Sequence, residues 1–279
     1  MSHLAQTGTV LDRIVARTRV DLEQRKSALP AATLQRRFPD IPDPLAVATL
    51  LRADTISVVA EFKRASPSKG RFVTDVDPAG VVEEYALGGA AMISCLTDEP
   101  FFEGSLADLE TVVEATNRAD RPVGVLRKDF MIDHYQVDEA RAWGASCILL
   151  IAACLDDQLL QGLHGYATSL GLSTLMEVHN ERELDRVLDA GATLVGINNR
   201  DLKTFDVDLS LTERLVRRIP YEVVVVGESG ISNRSDVQKM AAAGVDAVLV
   251  GESLILQDDR ASAVRALTGV TKGRRDQAE

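Results

Sequence analysis

Aromatic side chains are scarce in this chain. Phe, Tyr and Trp make up 4% of its 279 residues while 46% are hydrophobic, so the apolar interior is aliphatic. Cysteine is equally thin, with Cys95, Cys147 and Cys154 forming an odd set without CxxC spacing. Two of them stand inside apolar runs, so buried reduced thiols are expected rather than a disulfide or a metal site. The four histidines, His3, His134, His164 and His179, are scattered and show no HExxH or paired-ligand spacing, so no metal dependence is expected. No run reaches the roughly 18 apolar residues of a membrane span, and Met1 to Thr9 lacks a basic stretch followed by an apolar one. No membrane association and a cytoplasmic location are the expectation. A formal net charge of −11 argues against a broad nucleic-acid footprint or an anionic membrane surface, both of which need clustered Lys and Arg. A small anionic substrate stays open if basic residues gather locally.

What is present is a repeated unit. The length suits either two ordinary domains or one α/β barrel of about 250 residues. Val10 to Ser27 has the spacing of an amphipathic helix, with Val10, Leu11, Ile14, Val15 and Leu22 near one face, and Pro30 ends it. From Ile56 onward a short apolar run, a polar loop, a helix-period segment and a small-residue stop recur. The stops read Leu87-Gly88-Gly89-Ala90, Trp143-Gly144-Ala145, Ala190-Gly191-Ala192 and Ala243-Gly244-Val245. Each places Gly where a helix ends in a residue of positive φ, just before a new apolar run. The apolar runs give eight strands, near 56–61, 91–96, 123–127, 146–152, 173–178, 193–198, 222–227 and 247–251. Eight alternations, without GxGxxG after the first strand, favour a single (β/α)8 barrel of the TIM type over an open doubly wound sheet. The expected organisation is an N-terminal helical extension over residues 1–52, the catalytic barrel over 53–270, and a loose polar tail over 271–279.

In such a barrel the active site lies at the C-terminal ends of the strands. Strand one ends in Glu61-Phe62-Lys63, strand three in Lys128, strand five in Glu177 and His179, strand six in Asn198 and Arg200, strand seven in Glu228-Ser229-Gly230, and strand eight in Gly251-Glu252. The opposite ends are mostly plain. Alternate residues share a face, so Glu61, Glu177 and Glu228 are expected to meet Lys63, Lys128 and Arg200 at one mouth. There the basic groups would hold a substrate bearing a phosphate and a carboxylate. Gly230 and Gly251 let backbone N–H groups approach an anion, at the loops that usually bind phosphate in this fold.

With these residues placed, the chain resembles indole-3-glycerol-phosphate synthase, the tryptophan-pathway enzyme, over nearly its whole length. The likeness rests on Glu61-Phe62-Lys63-Arg64-Ala65-Ser66-Pro67-Ser68, Leu126-Arg127-Lys128-Asp129-Phe130, Gly196-Ile197-Asn198-Asn199-Arg200-Asp201-Leu202 and Glu228-Ser229-Gly230-Ile231. It implies ring closure of 1-(2-carboxyphenylamino)-1-deoxyribulose 5-phosphate to indole-3-glycerol phosphate with loss of CO2 and water, without cofactor or metal. By resemblance Lys128 is the general acid and Glu177 the general base, with Lys63 and Glu61 positioning and polarising the substrate. The same likeness assigns Asn198, Arg200, Glu228 and Ser229 to the substrate cradle, Ser66 to its anionic end, Phe102 to the aromatic ring, and Gly230 and Gly251 to the phosphate. Glu252 departs from the Ser that the family often has after the strand-eight glycine, which puts a side-chain contact to phosphate there in question. A lysine that donates a proton near neutral pH needs burial or nearby positive charge, and Lys63 and Arg200 are expected to supply the charge to Lys128. Phosphoribosylanthranilate isomerase, a related barrel, relies on a Cys and an Asp, and no Cys ends strand one. The expected assembly is a monomer acting on a small molecule.

Overall fold

In a computed structural model, which describes residues 3–74 and 76–275, eight parallel strands close on themselves. They are β1 (Ser57–Phe62), β2 (Met92–Leu96), β3 (Gly124–Lys128), β4 (Cys147–Ile151), β5 (Ser173–Val178), β6 (Leu194–Asn198), β7 (Val224–Glu228) and β8 (Ala247–Val250). Their order around the barrel is β1-β8-β7-β6-β5-β4-β3-β2, with β1 paired to β2 to complete the ring. Each of these strands lies within two residues of its expected limits. Nearly every strand residue is buried, as parallel strands walled by helices must be, and the three cysteines are buried free thiols.

Helices follow the strands with a common start. Asp77, Ser105, Asp133, Asp156, Asn180, Asn233 and Asp259 each accept a backbone N–H two or three residues on, which satisfies donors that the first helical turn leaves unpaired. Ser210–Val216 and the short Glu252–Ile255 have no side-chain cap. At the other ends Gly89, Gly144, Gly191 and Gly244 have φ between +79° and +105°, the left-handed conformation that their small-residue stops imply. A fifth stop, Gly171 with φ +78°, follows Asp157–Ser169 between two leucines and so lacks the small-residue signature.

The long N-terminal helix α1 (Val10–Ala28) buries Leu11, Ile14, Val15 and Leu22 and starts on Thr9, whose side chain accepts from Leu11 N. It is tied to the helix His134–Ala142 by Arg25 Nε to Glu139 Oε1 at 3.2 Å and by the Tyr135 hydroxyl donating to Leu29 O at 2.7 Å. Lys26 Nζ also reaches Asp133 at 2.7 Å. The tail differs from the loose segment expected. Thr271 bridges Thr55, Lys272 Nζ reaches Asp246 Oδ1 at 3.0 Å, and Arg275 binds Asp246 Oδ2 at 2.6 Å and Val223 O at 2.8 Å. Lys272 and Arg275 find the carboxylate at the start of β8 and strap residues 271–275 across the N-terminal end of the barrel. The last four residues of that expected tail lie outside the described residues.

Candidate active site

Strand geometry brings four charged side chains to one place. Glu61 is the fifth residue of β1, Lys128 ends β3, Glu177 stands one residue before the end of β5, and Glu228 ends β7. All four project from the C-terminal ends into a cavity of about 450 Å³. Lys128 Nζ lies 2.7 Å from Glu228 Oε2, 3.6 Å from Glu177 Oε2 and 3.9 Å from Glu61 Oε2. Lys63, just past β1, pairs with Glu61 Oε1. Buried carboxylates need room as well as partners. A methyl on Gly196 would collide with Glu228 Oε1, and one on Gly251 with the Glu61 carboxylate, so these two glycines clear the space both acids occupy.

The remaining candidates surround the same cavity: Ser66, Phe102, Asn198, Arg200, Ser229, Gly230, Gly251 and Glu252 all line it. Asn198 donates from Nδ2 to Glu177 Oε1 at 3.1 Å. Phe102 and Phe130 face each other with ring centroids 6.0 Å apart, and Val10, Leu11 and Ile14 of α1 add to this apolar wall. The opposite end is formed by Ser229 and Gly230, both with positive φ (63° and 77°), together with Gly251. A left-handed conformation at a serine is costly and persists where the surroundings enforce it. Glu252 is held by Lys69 Nζ at 2.6 Å. Its neighbour Ser253 also lines the cavity, and the Ser253 Oγ is buried without a hydrogen-bond partner.

Two expectations are overturned. Arg200 does not join the carboxylates: it lies past the end of β6, where strand parity no longer fixes direction, and its guanidinium donates to Phe205 O at 2.9 Å. The third cation at the cluster is His179, whose Nε2 stands 3.2 Å from Glu177 Oε1. Lys128, moreover, is surrounded by negative rather than positive charge. Burial by itself would push its ammonium down, but Glu228, Glu177 and Glu61 outweigh burial and hold its pKa above the ordinary lysine value.

The carboxylates divide the remaining charge unequally. For Glu61, burial favours the neutral acid, yet Lys63 and then Lys128 prevail and hold it below the usual range. Glu177 is held low against its burial by the His179 ring 3.2 Å away first and the Lys128 charge next. Glu228 is pushed up to about 7 because burial, reinforced by Glu177 and Glu61, exceeds what its close contact with Lys128 returns. Lys128 and Glu228 are thus both raised although paired: Lys128 keeps its proton, and Glu228 stands near the point where it gains one.

An eight-stranded parallel barrel with acidic and basic groups converging at the C-terminal strand ends, an aromatic wall on one side and glycine turns on the other, defines an acid–base enzyme of the (β/α)8 class. The sequence model of the indole-3-glycerol phosphate synthase family matches residues 11–267. The chain belongs to that family. Indole-3-glycerol phosphate synthase of Roseiflexus sp. is 45% identical over 265 residues, covering 94% of this chain and 98% of its own length. The enzyme of that name from Nocardioides sp. is 48% identical over 262 residues, covering 94% and 99%, and that from Mycolicibacterium smegmatis is 45% identical over 267, covering 96% of each. Among solved structures, thiamine phosphate pyrophosphorylase from Pyrococcus furiosus aligns with a TM-score of 0.58 at 19% identity, over 78% of this chain and 95% of the other. The 3-hexulose-6-phosphate synthase of Salmonella typhimurium aligns with a TM-score of 0.57 at 14% identity, over 76% and 96%. These two likenesses concern the barrel alone.

Proposed function

We propose that Lys128 and Glu177 are the acid and base of the indole-3-glycerol phosphate synthase reaction in this chain. The enzyme is a carboxy-lyase of tryptophan biosynthesis that closes the ring of 1-(2-carboxyphenylamino)-1-deoxyribulose 5-phosphate with loss of one CO2 and one water. The observation that carries the assignment is the 3.6 Å between Lys128 Nζ and Glu177 Oε2, on the floor of a cavity with one apolar and one glycine-lined end. A substrate with its aromatic ring against Phe102 and Phe130 and its phosphate at Gly230 and Gly251 spans that floor with its ketone between the two groups. Ser66, Ser229 and the free Ser253 hydroxyl supply donors around its anionic ends, with Asn198 and Arg200 lining the middle of the cradle.

As the ring carbon bearing the carboxylate attacks the ketone, the oxygen gains negative charge and becomes far more basic than an amine. Lys128 protonates it even though the surrounding carboxylates hold its own proton firmly. Loss of CO2 restores the aromatic ring, and departure of the new hydroxyl as water needs a second proton on oxygen, for which Lys63 is the second ammonium at the carboxylate cluster, and transfer of one from the ring system to Glu177. Once Lys128 has given up its charge, one of the influences keeping Glu177 weakly basic is gone, so the acid step strengthens the base for the step that follows. Lys63, fixed by Glu61, polarises the substrate from the β1 side. This reading takes the enzyme as a cytoplasmic monomer; among the described residues no helix is long and apolar enough to cross a membrane. It is tested by supplying the ribulose phosphate to the purified protein and following indole fluorescence and CO2. Equal amounts of both are expected, with most of the rate lost in Glu177→Gln; absence of product refutes it.

A further inference from the structure

We propose that His179 is the positioning residue for Glu177: a buried imidazole just past β5 whose Nε2 pairs with one oxygen of the carboxylate, an inference that rests on Glu177 acting as the base. Glu177 stands in β5 and His179 one residue past its end, and the contact between them shows that both side chains turn to the same side. His179 Nε2 is buried 3.2 Å from Glu177 Oε1, an ion-pair contact outside hydrogen-bond geometry, and Nδ1 lies 3.1 Å from Glu183 Oε2. Glu183 is itself immobilised in the first turn of the helix Glu181–Asp189: its carboxylate accepts from His179 N at 2.8 Å and from Asn180 Nδ2 at 2.7 Å. The ring therefore stands between two carboxylates, with its orientation set by a helix start and its far nitrogen delivered to the base. The charged groups that face it are Glu177 from β5, Glu183 from that helix and, at longer range, Asp201 from the loop after β6. All are acidic. They outweigh the burial that disfavours its charge and push the ring up to about 10, so it is protonated at neutral pH.

The cavity contains its own comparison. Glu228 and Glu177 are both buried beside Lys128, and Glu228 is the nearer, at 2.7 Å against 3.6 Å. Yet Glu228 is pushed up to about 7 whereas Glu177 is held low. Glu177 differs in having the Asn198 amide and the His179 ring as partners, and only His179 brings a charge. Without it Glu177 moves toward the condition of Glu228. The test is the pH profile of kcat/KM in His179→Gln, together with the NMR titration of the 13C-histidine resonance that this variant lacks. The acidic limb is expected to move up by more than about one pH unit, in the direction of Glu228. In the unsubstituted enzyme the His179 resonance should titrate far above 6.5. Glu183→Gln, which leaves the ring in place, should lower the His179 titration and move the limb the same way by less. A uniform loss of rate with an unmoved limb, or a His179 resonance titrating near 6.5, overturns the assignment. The titration needs no turnover, so its failure is distinct from failure of the acid–base reading, which shows as activity surviving in Glu177→Gln.

Discussion

Replacing Arg127 by Met probes the frame on which Lys128 stands. Lys128 points into the barrel, and its neighbour Arg127 points the other way, 0% exposed, into the layer between β3 and the helices. The guanidinium donates to Thr97 Oγ1 at 3.1 Å, Gln136 O at 2.9 Å, Asp129 Oδ2 at 2.9 Å and Glu139 Oε2 at 3.0 Å. Met matches much of its length and none of its charge, so both carboxylates lose a buried partner at once. Breaking a buried ion pair from one side typically costs about 3–5 kcal/mol. Glu139 keeps Arg25 at 3.2 Å, which places the expectation at the lower end, about 3 kcal/mol. The pH dependence follows from Asp129, which burial alone would raise but which Arg127 and then Arg25 hold below its ordinary 3.8. A depressed carboxylate stabilises the fold above its unfolded pKa and ceases to do so as pH falls through the folded one. In the variant the order reverses, because an unpaired buried carboxylate prefers to be neutral and acid relieves it. The gap between the two proteins should therefore narrow from pH 7.5 toward pH 5, read by urea unfolding followed by circular dichroism. A loss under 1 kcal/mol, or one that does not change with pH, would refute the reasoning.

Three further outcomes follow from the site. Gly251→Ala places a methyl against Glu61 and should displace the Glu61–Lys63 pair, lowering kcat about tenfold or more while the thermal midpoint moves by only a few degrees, as read by paired kinetic and melting assays. Glu228, raised to about 7 from an ordinary 4.5, contributes stability that is complete below pH 4.5 and lost as pH rises through 7, so Glu228→Gln should flatten the melting temperature across that interval. Glu252→Ser removes a carboxylate from the end of the cavity where the phosphate is proposed to sit, and KM for the ribulose phosphate should fall by about two- to fivefold at low ionic strength and by less at high salt.

Much of this architecture was legible because the barrel repeats a simple grammar. Buried parallel strands read as unbroken apolar runs, and four of the helix stops carry a glycine among small residues. Gly171 escaped that pattern because leucines flank it, although its φ is as positive as the others. Strand parity also led to the cavity, since Glu61, Lys128, Glu177 and Glu228 all stand within their strands, where alternation fixes direction. It failed for Arg200, two residues beyond the end of β6, where the chain has turned and a backbone carbonyl captures the guanidinium. His179 was overlooked because histidines were weighed as metal ligands; its separation of two from Glu177 was the available signal. Charge balance was the least legible property. Burial and distance decide who keeps a proton, and these made Lys128 a tightly held ammonium among the three expected acids, where Lys63 and Arg200 were expected to loosen its proton. The Arg127 network had no sequence signal beyond the opposite parity of Arg127 and Asp129 to Lys128.

The most direct test of the acid–base assignment is kcat for Lys128→Ala with the ribulose phosphate at saturation, measured by indole fluorescence. General acid catalysis by a positioned side chain is worth about 10²–10⁴-fold, so a loss of at least that size is predicted. Turnover in Lys128→Ala equal to that of the unsubstituted enzyme would contradict it.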